Sequence, residues 1–489
     1  MIDLIGKYKK VLWQYSVNLL LMLVFWGGYL RKSFNSDTVF HMVVDDADVM
    51  TRIEEGRYIV ALSDFLLLKL GLRTTSNISI TMLITILILA MAMWQLQDIF
   101  RRWMPDEPWE KAGFFLGLNL VFMNVLFSEI FMFGETSPYF AIGYLTAVLG
   151  IKCYIQKKYL FMLIMYGVAV SSYQNAAVFA AIILSVYIFM DERSNLSWHA
   201  AIREIVGVAI CMGMGAANFL SIKLLERLNE RISFSKYPGI GDWADKFSDA
   251  FNHYIKLYRS SDGLFPNLWF PLAFTVILWS LIIYSCIKEQ KLSRLLFLFL
   301  VWLGDNILLY VIPMLQEEFF FPPRLSFCFF LIQGLLLAAS YEINIDFLKR
   351  IATLSGVFYL IIHLLFADFI MTNHFSSNML DEVYVKMMYE EILRYENETG
   401  ITITKLAVIR DIDAPDSYEE ITYATGQINE RVLGTASRSL VQIVTNRSFE
   451  WIEVPQSVYD QYFKDKNWDY FNLNQQLVIR EDEAYWCVF

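Results

Sequence analysis

The chain is short of charge and of cysteine, and each scarcity excludes something. Only 18% of its 489 residues are charged, against 56% apolar and 16% aromatic, and the mean hydropathy is +0.42. That balance excludes an ordinary soluble globule of 57.1 kDa and predicts a polytopic membrane protein. The five cysteines, Cys153, Cys211, Cys286, Cys328 and Cys487, are scattered, four of them inside apolar runs. There is no CxxC pair and no Cys/His cluster of metal-ligand spacing, so neither a disulfide framework nor a zinc site is indicated. A phosphate-cradling GxGxxG at a strand-to-helix junction is also missing, and with it the soluble nucleotide-sugar fold. The net charge of -10 argues against a nucleic-acid partner, and it is unevenly spread. Residues 371–489 hold 20 Asp and Glu against 10 Lys and Arg, which accounts for all of it.

What the sequence has instead is apolar runs. A bilayer core about 30 Å thick needs about 20 apolar residues of helix. About eleven runs of that order stand between polar breaks, over 11–30, 77–96, 112–130, 138–156, 159–173, 176–190, 204–222, 267–287, 295–314, 325–340 and 351–370. Lys and Arg accumulate in cytoplasmic loops. Here Lys7, Lys9 and Lys10 precede the first run, and Arg101/Arg102, Lys157/Lys158, Arg193/Arg203, Lys288/Lys291/Arg294 and Lys349/Arg350 fall in alternate connections. The N-terminus is therefore expected in the cytoplasm and residues 371–489 outside the cell membrane. The first run lacks a small-residue cleavage site and reads as a retained span.

Two segments are too short or too charged to cross. Arg57–Leu70, with Asp64 and Lys69 in an apolar helix pattern, is expected to lie in the interface, as is the connection over 223–265. The C-terminal region reads as soluble: Leu380–Asn397 fits an amphipathic helix, Thr404–Ile409 a strand, and Gln475–Ile479 with Ala484–Phe489 a hairpin. The expected fold class is thus an α-helical polytopic membrane domain over residues 1–370, with interfacial helices, followed by a small extracytoplasmic α/β domain over 371–489.

The chemistry-bearing stretch is the first outer loop, Asp37–Arg57. A carboxylate at the outer surface can serve as general base towards a sugar hydroxyl, and an arginine beside it can hold a phosphate through its planar fork of donors. Asp45 and Asp46 are the candidates for the base, Arg52 and Arg57 for the anion partners; Asp37 falls outside this set. On the same face stand Glu129, Glu135, Tyr173, Gln174, Gln316–Glu318 and Arg324, and ionisable groups at such depth usually face protein or a water-filled cavity. Each has a plainer alternative, capping or a helix break for Glu135 and Gln174, and snorkelling to headgroups for Arg324.

Three elements in this order carry a resemblance: DD-x5-R-x3-GR (Asp45, Asp46, Arg52, Gly56, Arg57), the SYQ of Ser172, Tyr173 and Gln174, and the PPR of Pro322, Pro323 and Arg324. In these, over about residues 10–370, the chain resembles the bacterial O-antigen glucosyltransferase type II family of the GT-C class. The resemblance implies transfer of a hexose, glucose in that family, from an undecaprenyl-phosphate-linked donor to a cell-surface polysaccharide outside the membrane. It implies an inverting attack with Asp45 or Asp46 as base, and Arg52, Arg57, Glu135, Tyr173, Gln174 and Arg324 on the substrates. No cofactor is required, since a lipid monophosphate departs unaided; an Asp-Asp pair could hold Mg²⁺ or Mn²⁺. The acidic C-terminal domain is not a feature of that family's best-known members. The alternatives are a transporter or flippase of lipid-linked sugar, and a non-catalytic cell-envelope sensor.

Overall fold

The computed structural model describes residues 2–43, 47–191, 198–228, 243–316, 319–342, 345–410, 428, 431–464, 466 and 471–488. Helix dominates. In chain order the helices are α1 (Ile2–Trp26), α2 (Ser36–Val43), α3 (Ala47–Glu54), α4 (Tyr58–Lys69), α5 (Ile78–Phe100), α6 (Pro108–Asn119), α7 (Ser128–Met132), α8 (Ser137–Ile155), α9 (Tyr159–Ser172) and α10 (Ala176–Asp191). They continue with α11 (Trp198–Leu228), α12 (Trp243–Ser260), α13 (Phe270–Lys288), α14 (Leu292–Leu308), α15 (Val311–Met314), α16 (Pro323–Ser326), α17 (Cys328–Ser340), α18 (Asp346–Thr399), α19 (Val432–Thr435) and α20 (Ser437–Thr445).

Seven helical stretches among the described residues are long and apolar enough to cross a membrane: Val11–Leu30, Ile78–Trp103, Ser137–Ile155, Ala201–Leu228, Phe270–Lys288, Pro323–Ser340 and Asp346–Thr399. The apolar helices α9 and α10 are shorter, at 14 and 16 residues. Bare apolar side chains such as Leu20, Leu83, Phe161, Ile205, Val276, Leu303 and Leu365 cover the outside of the body. Such a surface is a liability in water and a match for lipid.

The expected run over 112–130 is not one helix. Helix α6 stops at Asn119, and the chain passes through a short irregular stretch and a 3₁₀ turn, Val125–Phe127, before α7. Irregular backbone in an apolar body is stable only when its polar groups are answered by protein. Asn124 does most of this, donating from Nδ2 to the Leu120 and Val121 carbonyls at 2.9 and 3.2 Å and accepting the Phe127 N–H at 3.1 Å. The Trp26 indole donates to the Phe122 carbonyl at 2.9 Å, and His363 Nδ1 accepts the Val125 N–H at 3.3 Å. Beside this break α6 presses on α17 at Gly117 and Gly334. A Cβ on Gly334 would sit 2.3 Å from the Gly117 carbonyl oxygen, so only glycine permits the approach.

The last span and the amphipathic helix expected after it are one element. Helix α18 runs unbroken for 54 residues, about 80 Å at 1.5 Å per residue. The boundary placed at 370/371 from sequence falls inside it. No proline interrupts this stretch, and its polar middle finds burial: His374, Ser377 and Asn378 are enclosed where the segment following α1 packs on them. Beyond α18 a four-stranded sheet forms from β1 (Lys405–Arg410), β2 (Glu450–Trp451), β3 (Leu477–Arg480) and β4 (Glu483–Val488), in the order β2-β1-β4-β3. Strand β1 is parallel to β2 and β4, and β3 and β4 form the antiparallel hairpin, pairing Val478 with Tyr485 and Ile479 with Ala484. Leu406, Leu440, Val441 and Trp486 fill its core together with Val385, Met388 and Ile392 of α18.

Candidate functional site

The segment between α1 and α5 builds the site from short pieces. Asn35 caps α2, its Oδ1 accepting the Thr38 N–H at 2.8 Å, a cap-to-N3 bond that asparagine makes well. Helix α3 then carries Arg52, and the chain reverses at Gly56 with φ +72°. A side chain there would meet Ile222 at 2.6 Å and Asn218 at 2.8 Å, and Asn218 Nδ2 donates to the Gly56 carbonyl at 2.9 Å. Glycine thus lets the chain turn tightly against α11 and start α4, the short helix expected in the interface. Its outer side shows Leu62, Phe65 and Leu66.

An open cavity lies among α2, α4 and the turn before α5. His41, Arg52, Asp64, Arg73 and Glu135 bring charge or a titratable ring to it, Thr74 and Thr75 bring hydroxyls, and Leu67, Leu68 and Leu72 form an apolar wall. Arg52 is buried, yet its contacts are loose: Nη2 stands 3.3 Å from His41 Nε2, Nη1 3.6 Å from Glu55 and Nε 4.0 Å from Asp64. None is the two-pronged carboxylate contact that satisfies a guanidinium fully. Asp64 accepts the Tyr139 hydroxyl at 3.0 Å. Glu135 is 3% exposed, and its Oε2 lies 2.5 Å from the Thr38 hydroxyl, which is also 2.7 Å from the capping Asn35 Oδ1.

Of the residues singled out in the sequence, the cavity takes in Arg52 and Glu135. Arg57, Tyr173, Gln174 and Arg324 form a second group beside it. Arg57 pairs with Glu55 at 3.0 Å and lies over the Phe140 and Tyr173 rings at 5.8 and 6.0 Å. Gln174 donates to the Glu55 carbonyl, and the Tyr173 hydroxyl to the Arg324 carbonyl at 3.3 Å. Arg324 binds the fully buried Glu129 through both its backbone N–H, at 2.7 Å, and its guanidinium. It does not snorkel. Asp45, Asp46, Glu317 and Glu318 lie outside the described residues. Asp37, set aside in the sequence, is exposed on the first turn of α2, with its carboxylate within electrostatic reach of Arg324.

His41, Arg73, Thr74 and Thr75 were missed in the sequence, and Asp64 was seen only as a charge in an interfacial helix. The signal available for them was position: all flank the short elements between the first two long apolar runs. Among the described residues no three His, Cys, Asp or Glu side chains are grouped so as to hold a metal ion. Compared with known proteins, the chain matches no family model, no curated protein and no solved structure.

Proposed function

We propose that the protein is a membrane glycosyltransferase of the GT-C class with about eleven spans. On this reading it moves a hexose, glucose by the motif resemblance, from a polyprenyl-phosphate donor to a cell-surface glycan. The end of the body that bears the C-terminal domain faces the outside of the cell membrane. One observation carries this reading: a single cavity combines cationic and carboxylate groups with a leucine wall that adjoins the apolar outside of α4. A lipid with a phosphorylated sugar head has both halves of that chemistry. Its prenyl chain runs along the leucines, and its phosphate meets Arg52 and Arg73, whose guanidinium groups suit a tetrahedral anion. Glu135 and Asp64 accept hydrogen bonds from sugar hydroxyls.

Asp45 or Asp46, which precede α3 in the sequence, takes the proton of the acceptor hydroxyl as its oxygen bonds to the anomeric carbon. The bond from that carbon to the phosphate oxygen breaks with inversion, and the lipid phosphate leaves as an anion. No metal is needed for that departure, although the Asp-Asp pair offers oxygen ligands to Mg²⁺ or Mn²⁺. Arg57, Tyr173, Gln174 and Arg324 support the rim behind α3.

The test uses the purified full chain in lipid nanodiscs with polyprenyl-phosphate hexoses and isolated surface glycans. Transfer that is lost in Asp45→Asn or Asp46→Asn supports the reading. No transfer by the wild type, together with unchanged surface glycans in cells carrying both substitutions, overturns it. Lipid flipping in vesicles without transfer would mark a flippase instead, and neither activity would mark the sensor.

A further inference from the structure

Helix α2 is gripped from both sides. In a helix, residues two apart point about 200° away from each other, so Ser36 and Val39 face opposite to Thr38 and His41. On the first side, Phe34 and Val39 are buried in the hydrophobic core of the C-terminal domain with Val385, Met388 and Leu440. The Ser36 hydroxyl meets that of Thr435, and the Phe34 N–H donates to Asn378 Oδ1 at 2.9 Å. On the second side, Thr38 holds Glu135 at 2.5 Å and His41 stands 3.3 Å from Arg52. Helix α2 also packs on the turn Thr75–Asn77, whose first residue lines the cavity.

We propose that the C-terminal domain sets the geometry of the cavity, with α2 as the strut that transmits its position. Thr38 and Val39 are positioning residues: Val39 is held by the domain, and Thr38 in turn holds Glu135. Eight residues of isolated helix are marginal in water, so α2 keeps its shape only while both grips persist. Unseating the domain frees α2, so that His41 leaves the cavity wall and Thr38 releases Glu135. This inference goes beyond the transferase reading and stands whatever the cavity binds.

The test is amide hydrogen exchange of the full chain in nanodiscs, which needs no substrate. In Val39→Asp, a charge in the domain core, exchange is expected to quicken about tenfold or more at α2 and also across residues 133–137 on the helical body. A purely local role would quicken exchange in α2 and the domain alone, and that result overturns the proposal. If Val39→Asp fails to fold, the double variant Ser36→Cys with Thr435→Cys decides. Closing that disulfide is expected to slow exchange at residues 133–137 relative to the reduced form; equal rates in the two forms overturn it.

Discussion

The Arg324–Glu129 contact and the Arg52 cavity lie side by side, and both place a guanidinium against carboxylates in a largely buried setting. They differ in how completely the charges are satisfied. Glu129 is fully buried and receives the backbone N–H of Arg324 as well as its side chain. Asn175 Nδ2 and the Tyr173 hydroxyl then donate to the Arg324 carbonyl at 3.3 Å each. Among the described residues Arg52 has a histidine at 3.3 Å and carboxylates at 3.6 and 4.0 Å, beside open space. The close pair fixes α16 to α7. A loosely held guanidinium at a cavity keeps donors available for a ligand.

The largest expected effect breaks the satisfied pair. Arg324→Ala leaves the Glu129 carboxylate buried and unmatched, and is expected to cost about 3–5 kcal/mol, read as a lowered Tm in detergent. Glu129→Met combined with Arg324→Met should regain most of that loss, because the stranded charge goes with its partner. A double variant no more stable than Arg324→Ala would mean the pair does more than hold the two elements together.

Next comes the broken segment behind the pair. Asn124→Ala removes two donations and one acceptance inside an apolar body, an expected loss of about 1–3 kcal/mol by thermal unfolding. Smaller again is the stability effect of Arg52→Ala, about 1 kcal/mol or less, since its contacts are long and water can enter the cavity. Its effect should appear in ligand binding instead.

How far these contrasts were legible beforehand follows from what a linear pattern encodes. Arg52 and Glu135 were visible as charges flanking apolar runs, and the β1 strand and the closing hairpin showed in β-branched and aromatic alternation. Glu129 as the partner of Arg324 was not visible, because 195 residues separate them and no periodicity records the contact. The break after Asn119 was hidden by an apolar run that reads as continuous; only Asn119 and Asn124 hinted that polar groups were needed there. The 54-residue α18 was read as two pieces because its polar middle resembles a linker until the packing partner that buries it is known.

The C-terminal domain supplies the mildest contrast, charges on an exposed rim. The Thr404 hydroxyl, then Lys405, hold the Asp482 carboxyl below its usual range; the Tyr485 hydroxyl, then Lys405, do the same for Glu483. Since the folded values are depressed, this stabilisation is complete above the ordinary carboxylate range and fades as pH falls through the folded values. Asp482→Asn with Glu483→Gln should therefore lower stability slightly at neutral pH and leave the acid end nearly unchanged, which flattens the acid limb of the profile as followed by intrinsic fluorescence.

The central claim is that the loosely paired cavity, not the satisfied pair beside it, receives an anionic lipid-linked ligand. Thermal stabilisation by added polyprenyl phosphate tests it directly, because a ligand that binds only the folded state raises Tm by an amount that grows with the logarithm of its concentration above Kd. The wild type should gain stability with ligand concentration and Arg52→Ala should not, while the Glu129→Met, Arg324→Met double variant keeps the gain. An equal gain in Arg52→Ala, or its loss only in the double variant, would contradict the claim.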